Sequence, residues 1–253
     1  MTNEVPHELA VNLKLFTTPE AVEAYSAYQL DPQERYLFAK YYKPGDRILD
    51  LACGLGRTTL RLHEMGLSVK GIDVSGVFID LARKRFPYLD LQIGDYTHIE
   101  EPDSTYSHVL ISESGLDYAF PEPQREVALR ECVRVLKPGG TLIFNTHNLK
   151  SLHFFSPVNR HRLLWKSRYF LKAFLSRAYV FEDGRYLFYA SLEFVIRQAE
   201  AAGLKFLEMV GPRMSTTRRF NRYLSAHIHY VFTKPDIHRK EQNPKTNGLA
   251  TRT

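Results

Sequence analysis

Short, strand-like apolar runs separated by polar segments predict an α/β chain. The strand-like runs cover residues 48–51, 69–73, 89–96, 106–112, 141–145, 203–210 and 227–233. Between two of these runs, residues 125–136 place their apolar side chains on one helical stripe, and residues 192–202 have the pattern of a further helix. Strands that alternate with helices are typical of βαβ units in a mainly parallel sheet.

A turn with two glycines follows the first run and leads into a predicted helix, over residues 48–59. Glycine lets the backbone approach a ligand closely, and the first N–H groups of a helix are unpaired. This arrangement is the first half of a nucleotide-binding βαβ unit. Asp73 ends the second run, 23 residues after Asp50, where a carboxylate accepts hydrogen bonds from a ribose diol.

Two ligand classes fit a glycine turn with a distal acid: a dinucleotide, and a nucleoside that carries no phosphate. A dinucleotide places its pyrophosphate at the N-terminus of the helix. Asp50 stands at the end of the first run, where it would repel that pyrophosphate but would suit a ligand with an ammonium group. The sequence therefore favours the second class over a dinucleotide such as NAD.

The glycine segment resembles the first motif of class I S-adenosylmethionine-dependent methyltransferases, Asp-x-Gly-x-Gly-x-Gly. Four residues stand at the motif positions: Asp50, Ala52, Gly54 and Gly56. Ala52 replaces the first glycine of the family pattern. The resemblance implies that these residues bind S-adenosylmethionine as the cofactor, which leaves as S-adenosylhomocysteine. It also implies that Cys53 fills space beneath the methionine moiety and that Asp73 and Val74 contact the nucleoside.

Later segments resemble the same family in the same order. The third strand of the family ends in an acid that faces the adenine amino group, and Asp95 holds that position with Tyr96 beside the ring. Ser112 and Glu113 fall at the carboxyl end of the fourth strand. Residues 134–142 match one of the more specific signatures of the family.

The resemblance implies a doubly wound, mostly parallel seven-stranded sheet with an antiparallel last strand, in three αβα layers. It places the methyltransferase domain at residues 44–148 and 190–234. Residues 1–43 are then expected to form an N-terminal helical cap. Residues 149–189, rich in aromatic and basic residues, are expected to form a helical and aromatic lid over the acceptor site. The polar residues 235–253 are expected to be a disordered tail.

The cap contains tyrosines suited to closing the donor site. In related small-molecule enzymes a tyrosine from this region covers the carboxylate end of the donor, a role that Tyr25 or Tyr28 fits; a packing role is the alternative. The pair Asp31-Pro32 predicts the start of a helix.

Methyl transfer to a hydroxyl or ammonium group needs a base that removes a proton. His147, just beyond the fifth strand, is the first candidate, and Glu113 is the second. A loop histidine bonded to backbone is the alternative for His147. No Asp/Asn-Pro-Pro-Tyr pattern follows the fourth strand, which argues against the exocyclic-amine methylases. Metal-ligand spacings are absent, so no metal is expected.

The net charge of +6 and the pI near 9.2 raise the question of an anionic partner. Basic residues cluster between Lys150 and Arg185, and a second cluster comprises Arg213, Arg218, Arg219 and Arg222. Both clusters could face nucleic acid. A solvated helical face is the favoured interpretation, because apolar residues lie between the charges of the first cluster.

The chain has two cysteines, Cys53 and Cys132, too few for a disulfide framework. It has no apolar stretch long enough to span a membrane. We therefore expect a cytoplasmic protein with no membrane partner, as a monomer or homodimer. The sequence predicts methyl transfer to oxygen or nitrogen of a small-molecule acceptor. The alternatives are a tRNA or rRNA methyltransferase and a non-catalytic protein that only binds S-adenosylmethionine.

Overall fold

The computed structural model describes residues 7–152, 177–182 and 184–236. The helices are α1 (His7–Phe16), α2 (Pro19–Ala27), α3 (Pro32–Tyr41), α4 (Arg57–Glu64), α5 (Gly76–Arg85), α6 (Glu122–Val135), α7 (Leu192–Ala201) and α8 (Arg218–Leu224). The strands are β1 (Arg47–Leu51), β2 (Ser68–Asp73), β3 (Asp90–Ile93), β4 (Tyr106–Ile111), β5 (Leu136–His147), β6 (Arg177–Glu182), β7 (Arg185–Ala190), β8 (Lys205–Val210) and β9 (His227–Thr233).

Seven strands form one sheet in the order β3-β2-β1-β4-β5-β9-β8. Strand β1 runs parallel to β2 and β4, whereas β9 runs antiparallel to both β5 and β8. The predicted doubly wound, mostly parallel sheet with an antiparallel last strand is confirmed. The strand order reverses at β1, and the crevice outside the carboxyl ends of the strands at such a point is where open α/β sheets bind ligands.

Alternate residues of β1 enter different cores on the two faces of the sheet. Leu49 and Leu51 belong to a cluster that includes Leu129 of α6, and Ile48 belongs to one that includes Phe38 of α3. All five side chains are at most 1% exposed. Because side chains alternate along a strand, this burial on both faces places the sheet between two helical layers.

Helix α3 begins at a reciprocal capping box between Asp31 and Glu34, which confirms the predicted helix start.

Helix α1 is joined to the rest of the fold by side-chain hydrogen bonds. The Asn12 amide donates to the Tyr186 carbonyl and accepts from the Tyr186 N–H, both at 2.8 Å. These two bonds hold α1 against β7.

Residues 137–140 lie within β5, although the sequence predicted a strand only at residues 141–145. The Gly139 N–H donates to the Lys234 carbonyl at 2.8 Å, and the Lys234 N–H donates to the Gly140 carbonyl at 2.9 Å. Pairing with Lys234, which directly follows β9, thus keeps Pro138 and Gly139 within β5. Local turn preference was outweighed by pairing with a distant segment.

The described C-terminal part of the predicted lid lies in a β-hairpin. Strands β6 and β7 pair antiparallel, and Gly184 adopts φ +82° at their turn. Residues 153–176 and 183, on which the helical part of the predicted lid falls, lie outside the described residues, as do residues 237–253 of the predicted tail.

Candidate active site

Two adjoining cavities open at the carboxyl ends of β1, β2 and β4. Their empty volumes, which include space open to solvent, are about 600 and 840 Å³. The lining residues common to both are Leu9, Ala52, Asp73, Val74, Tyr96 and Tyr118. The two cavities therefore form one cleft at the switch point of the sheet.

The turn after β1 forms the floor of this cleft. Ala52, Gly54 and Gly56 have φ values of 53°, 55° and 80°, in the left-handed region that glycine adopts at least cost. The Gly54 N–H donates to Asp73 Oδ2 at 2.8 Å. The turn is thereby fastened to the end of β2, and its backbone lies open to the cleft.

Asp73 is 8% exposed and lines both cavities. Its Oδ2 accepts from Gly54, and its Oδ1 accepts from the Ser75 N–H at 2.8 Å. Burial raises the pKa of this carboxyl, while the two backbone hydrogen bonds oppose the rise. Each carboxylate oxygen has a second lone pair, so Asp73 can still accept hydrogen bonds from two hydroxyl groups.

Asp50 lies beneath the turn and lines neither cavity. It is 0% exposed, and its Oδ2 accepts from the Thr58 and Thr59 hydroxyls at 2.6 Å each. Burial raises the pKa of Asp50 to about 6, against the lowering effect of the two hydroxyls. In this arrangement Asp50 supports the turn from below, although the sequence suggested direct contact with a ligand ammonium group.

The first cavity receives the residues expected around adenine. Val74, Asp95 and Tyr96 line it. Asp95 Oδ1 accepts from both the N–H and the hydroxyl of Thr97, at 2.7 and 2.8 Å, which fixes the turn after β3. The Tyr96 hydroxyl donates to the Gly115 carbonyl at 3.3 Å, so the ring is anchored at the boundary of the two cavities.

Cys53 lines the second cavity and is 6% exposed. Burial raises the pKa of its thiol well above the usual range, and the charges of Asp73 and Asp50 act in the same direction. A thiol that stays protonated is a poor nucleophile, in agreement with a space-filling role.

Glu34 joins three elements around the cleft and was missed by the sequence reasoning. Its carboxylate accepts two bonds from the Arg57 guanidinium, at 2.6 and 2.7 Å, and one from the Ser112 hydroxyl. Burial raises the pKa of Glu34, but the bonds from Arg57 and Ser112 outweigh it and the pKa is lowered. Helix α3 is thus tied to the start of α4 and the end of β4.

A strained turn follows β4 at the second cavity. Glu113 and Ser114 have φ values of 50° and 57°, and the Ser114 N–H donates to Asn145 Oδ1 at 2.9 Å. A residue other than glycine in the left-handed region costs the folded state about 1–3 kcal/mol, and such residues cluster at functional sites. The turn places the half-exposed Glu113 carboxylate 3.2 Å from Arg57. Burial raises the pKa of Glu113, whereas Arg57 lowers it.

His147 lies beside the cleft but does not line either cavity. Its Nδ1 is 2.8 Å from Asp117 Oδ2, which also accepts from the His147 backbone N–H at 2.8 Å. Asp117 is fully buried and pairs with Arg125 at 3.1 Å. Of the two predicted bases, the structure places only Glu113 in the wall of the second cavity.

The cap supplies the opposite wall of the second cavity. Tyr25 lines it, whereas Tyr28 is 47% exposed and packs edge-on against Tyr25 at 5.3 Å. Of the two tyrosines proposed to close the donor site, Tyr25 therefore has the better position.

The second basic cluster lies at the carboxyl edge of the sheet, around α8. Arg213, Arg218 and Arg219 are exposed, and Arg222 forms an ion pair with Glu193. Of the first cluster, the structure describes Lys150, Arg177 and Arg185, and Arg177 pairs with Glu122 at 2.5 Å. None of the helices in the described ranges combines the length and the hydropathy that a membrane-spanning helix needs.

Asp31, Glu34 and His229 bring three potential ligand atoms within 4.8 Å of one another. The Glu34 oxygens already accept two bonds from the Arg57 guanidinium. A metal ion here would sit against that positive charge, so the group does not favour a metal centre.

Residues 48–140 match the profile of the methyltransferase domain family. A demethylmenaquinone methyltransferase of Renibacterium salmoninarum is 37% identical over 100 residues, 40% of each chain. An O-methyltransferase of malonyl acyl-carrier protein from Serratia marcescens is 28% identical over 144 residues, 57% of this chain and 55% of that protein. The chain thus spans about half the length of the curated relatives it matches, or less.

Solved structures agree over more of the chain. A methyltransferase from Methanosarcina mazei superposes with a TM-score of 0.61 at 18% identity, over 82% of this chain and 99% of that chain. A TehB-like methyltransferase from Corynebacterium glutamicum gives 0.61 at 18% identity, over 89% and 99%. Residues 48–140 are therefore a methyltransferase domain, in a chain with the fold of the class I S-adenosylmethionine-dependent methyltransferases.

Proposed function

We propose that the protein transfers a methyl group from S-adenosylmethionine to an oxygen or nitrogen atom of a small-molecule acceptor. The observation that carries this proposal is the position of Asp73. Its carboxylate lines both cavities of the cleft, is fixed by two backbone N–H groups, and has lone pairs left for the hydroxyls of a ribose. It lies within the methyltransferase domain.

The residues present fit this cofactor. Asp73 would accept from the ribose, Asp95 and Tyr96 would meet the adenine in the first cavity, and the turn at Ala52–Gly54 would lie under the methionine moiety. S-adenosylmethionine supplies a methyl group that its sulfonium already activates. The protein's own part is to hold the acceptor atom close to that methyl group and in line with the bond that breaks.

Glu113 is the residue that would take the acceptor's proton, because it lines the second cavity next to the end of β4. Its raised pKa, due to burial, makes the carboxylate a stronger base than an exposed glutamate. His147 stays a second candidate, oriented through Nδ1 by Asp117.

Two features support a small acceptor. Side chains of α1 and α2 narrow the second cavity from one side, which suits a compact molecule. Two relatives are named as methyltransferases of demethylmenaquinone and of malonyl acyl-carrier protein, and neither name refers to a nucleic acid. A cytoplasmic location and a monomeric or homodimeric state stay predictions of the sequence.

A tRNA or rRNA acceptor is the competing proposal, supported by the exposed Arg213, Arg218 and Arg219. Contacts of arginine with phosphate weaken steeply with salt. Strongly salt-dependent binding of RNA together with methyl transfer to it would favour this alternative. Donor binding without transfer to any acceptor would favour a protein that only binds the donor.

Calorimetric titration with S-adenosylmethionine, S-adenosylhomocysteine and NAD tests the donor assignment. We expect micromolar binding of the two sulfur ligands and none of NAD. Failure of both sulfur ligands to bind at millimolar concentration, or tighter binding of NAD, would refute the proposal.

A further inference from the structure

One wall of the second cavity is formed by aromatic side chains. Phe16, Tyr25, Phe78 and Tyr118 line it, and we call them the aromatic wall. Phe16 packs edge-on against Tyr118 at 5.0 Å and against Tyr25 at 5.8 Å, and Tyr25 packs against Phe78 at 6.3 Å. Leu9 and Leu13 of α1 extend the apolar surface.

Contacts within the protein hold the aromatic wall in place. Edge-to-face ring pairs contribute about 0.5–1.5 kcal/mol beyond their buried area. Helix α1, which carries Phe16, is held to β7 by the two Asn12 hydrogen bonds. A preformed apolar wall binds a flat apolar group with little loss of side-chain freedom.

The charged side chains of the second cavity are already paired with other groups. The Arg57 guanidinium binds Glu34 at 2.6 Å and lies 3.2 Å from Glu113, and Asp73 accepts from two backbone N–H groups. Arg185 lies beside the aromatic wall, with its guanidinium 3.5 Å from the Tyr25 hydroxyl. A charged acceptor would therefore lose hydration against the rings without gaining an unpaired opposite charge in the described cavity lining.

We infer that the acceptor is an uncharged, planar aromatic compound with a hydroxyl group, held by the aromatic wall with its hydroxyl towards Glu113. This inference rests on the proposed function and names its substrate class. In the reaction the hydroxyl oxygen forms a bond to the methyl carbon, and the carbon–sulfur bond breaks with its electron pair going to sulfur. The hydroxyl proton passes to Glu113 and then to water.

Three naphthalenes that differ only in their polar group test this inference. They are 2-naphthol, which is neutral at pH 7, 2-naphthoate, which is an anion, and 2-naphthylmethylammonium, which is a cation. Binding is measured by equilibrium dialysis, with and without saturating S-adenosylhomocysteine. We expect 2-naphthol to bind at least tenfold more tightly than either charged probe. Tighter binding of a charged probe, or no saturable binding of 2-naphthol, would overturn the inference.

Variants of the wall give a second readout. Phe16→Leu and Tyr25→Leu should each weaken 2-naphthol binding roughly 3- to 10-fold, the effect of losing one aromatic contact. Tyr88→Leu is the matched control, because Tyr88 is 60% exposed and lines neither cavity. Equal affinities in all three variants would place the probe elsewhere and overturn the inference.

The two proposals fail separately. A protein that binds neither S-adenosylmethionine nor S-adenosylhomocysteine refutes the proposed function, whatever the probes do. A protein that binds both donor ligands but prefers a charged naphthalene refutes only the acceptor class.

Discussion

The methyl group of Ala52 lies 2.8 Å from the position that a Cβ atom on Gly115 would occupy. Ala52 directly follows β1, and Gly115 follows the strained turn after β4. The two segments can approach because Gly115 has no side chain. This contact explains how the floor of the cleft accommodates alanine where the family motif has its first glycine.

Gly115→Ala should destabilise the protein by about 1–3 kcal/mol, the usual cost of overpacking a filled core. The new methyl group would also come within 3.0 Å of Ile111 Cγ2. The free energy of unfolding in urea measures the effect. Gly76→Ala is the control, since a Cβ there meets Ile93 at an ordinary 3.4 Å. A Gly115→Ala variant as stable as this control would refute the contact.

Ala52→Gly should be neutral or stabilise the fold by up to about 1 kcal/mol, because an L-residue in the left-handed region costs roughly that much more than glycine. Combined with Gly115→Ala, it should recover part of the lost stability by removing the clashing methyl group. Strict additivity of the two effects in a double-mutant cycle would show that the residues do not interact.

Asp73→Ala should weaken S-adenosylmethionine binding by about 1–3 kcal/mol, the value of hydrogen bonds to a charged group. Calorimetry measures the change. Asp80→Ala is the matched control, because Asp80 is exposed on α5 and lines neither cavity. Equal donor affinity in the two variants would remove Asp73 from the cofactor site.

Asp50 should make stability depend on pH. Its folded-state pKa of about 6 exceeds the ordinary 3.8, so its contribution to folding is greatest below pH 4 and is lost as pH rises to 6. At about 1.4 kcal/mol per pKa unit, the loss is about 3 kcal/mol. The stability of Asp50→Asn relative to the natural protein should rise by that amount from pH 4 to pH 7. A constant difference would place the Asp50 pKa near its ordinary value.

Glu34→Ala should destabilise the fold by about 3–5 kcal/mol, because it leaves the Arg57 guanidinium, 11% exposed, without its bidentate partner. Urea unfolding measures the effect. Glu64→Ala removes the exposed ion pair with Arg61 and should change stability by less than about 1 kcal/mol. Similar losses in the two variants would argue against a structural role for the Glu34 network.

Glu113→Gln should lower kcat about 100-fold or more with donor affinity nearly unchanged, as expected for loss of a general base. His147→Ala should have the smaller effect on kcat, since His147 lies outside both cavities. Steady-state kinetics with any acceptor found in a transfer assay measures both. A larger loss in His147→Ala would restore the histidine as the first candidate for the base.

The sequence by itself determined the seven strands of the main sheet, the glycine turn and the place of Asp73 at the end of β2, because these signals are local. A buried strand needs an apolar run, and a left-handed turn needs glycine or a small residue. The positions of Asp73 and Asp95 follow from such runs, since each acid stands at or just beyond the end of a strand. The Asp31-Pro32 helix start is local in the same sense.

Only the tertiary structure decided which polar side chains share the cleft. Glu34 meets Arg57 and Ser112 from positions 23 and 78 residues away, and no local pattern records such contacts. The structure also placed Glu113, but not His147, in the wall of the second cavity and put Asp50 beneath the turn. Strand pairing and packing between distant segments fix these positions, so they follow from the assembled sheet and not from the residues' own neighbours.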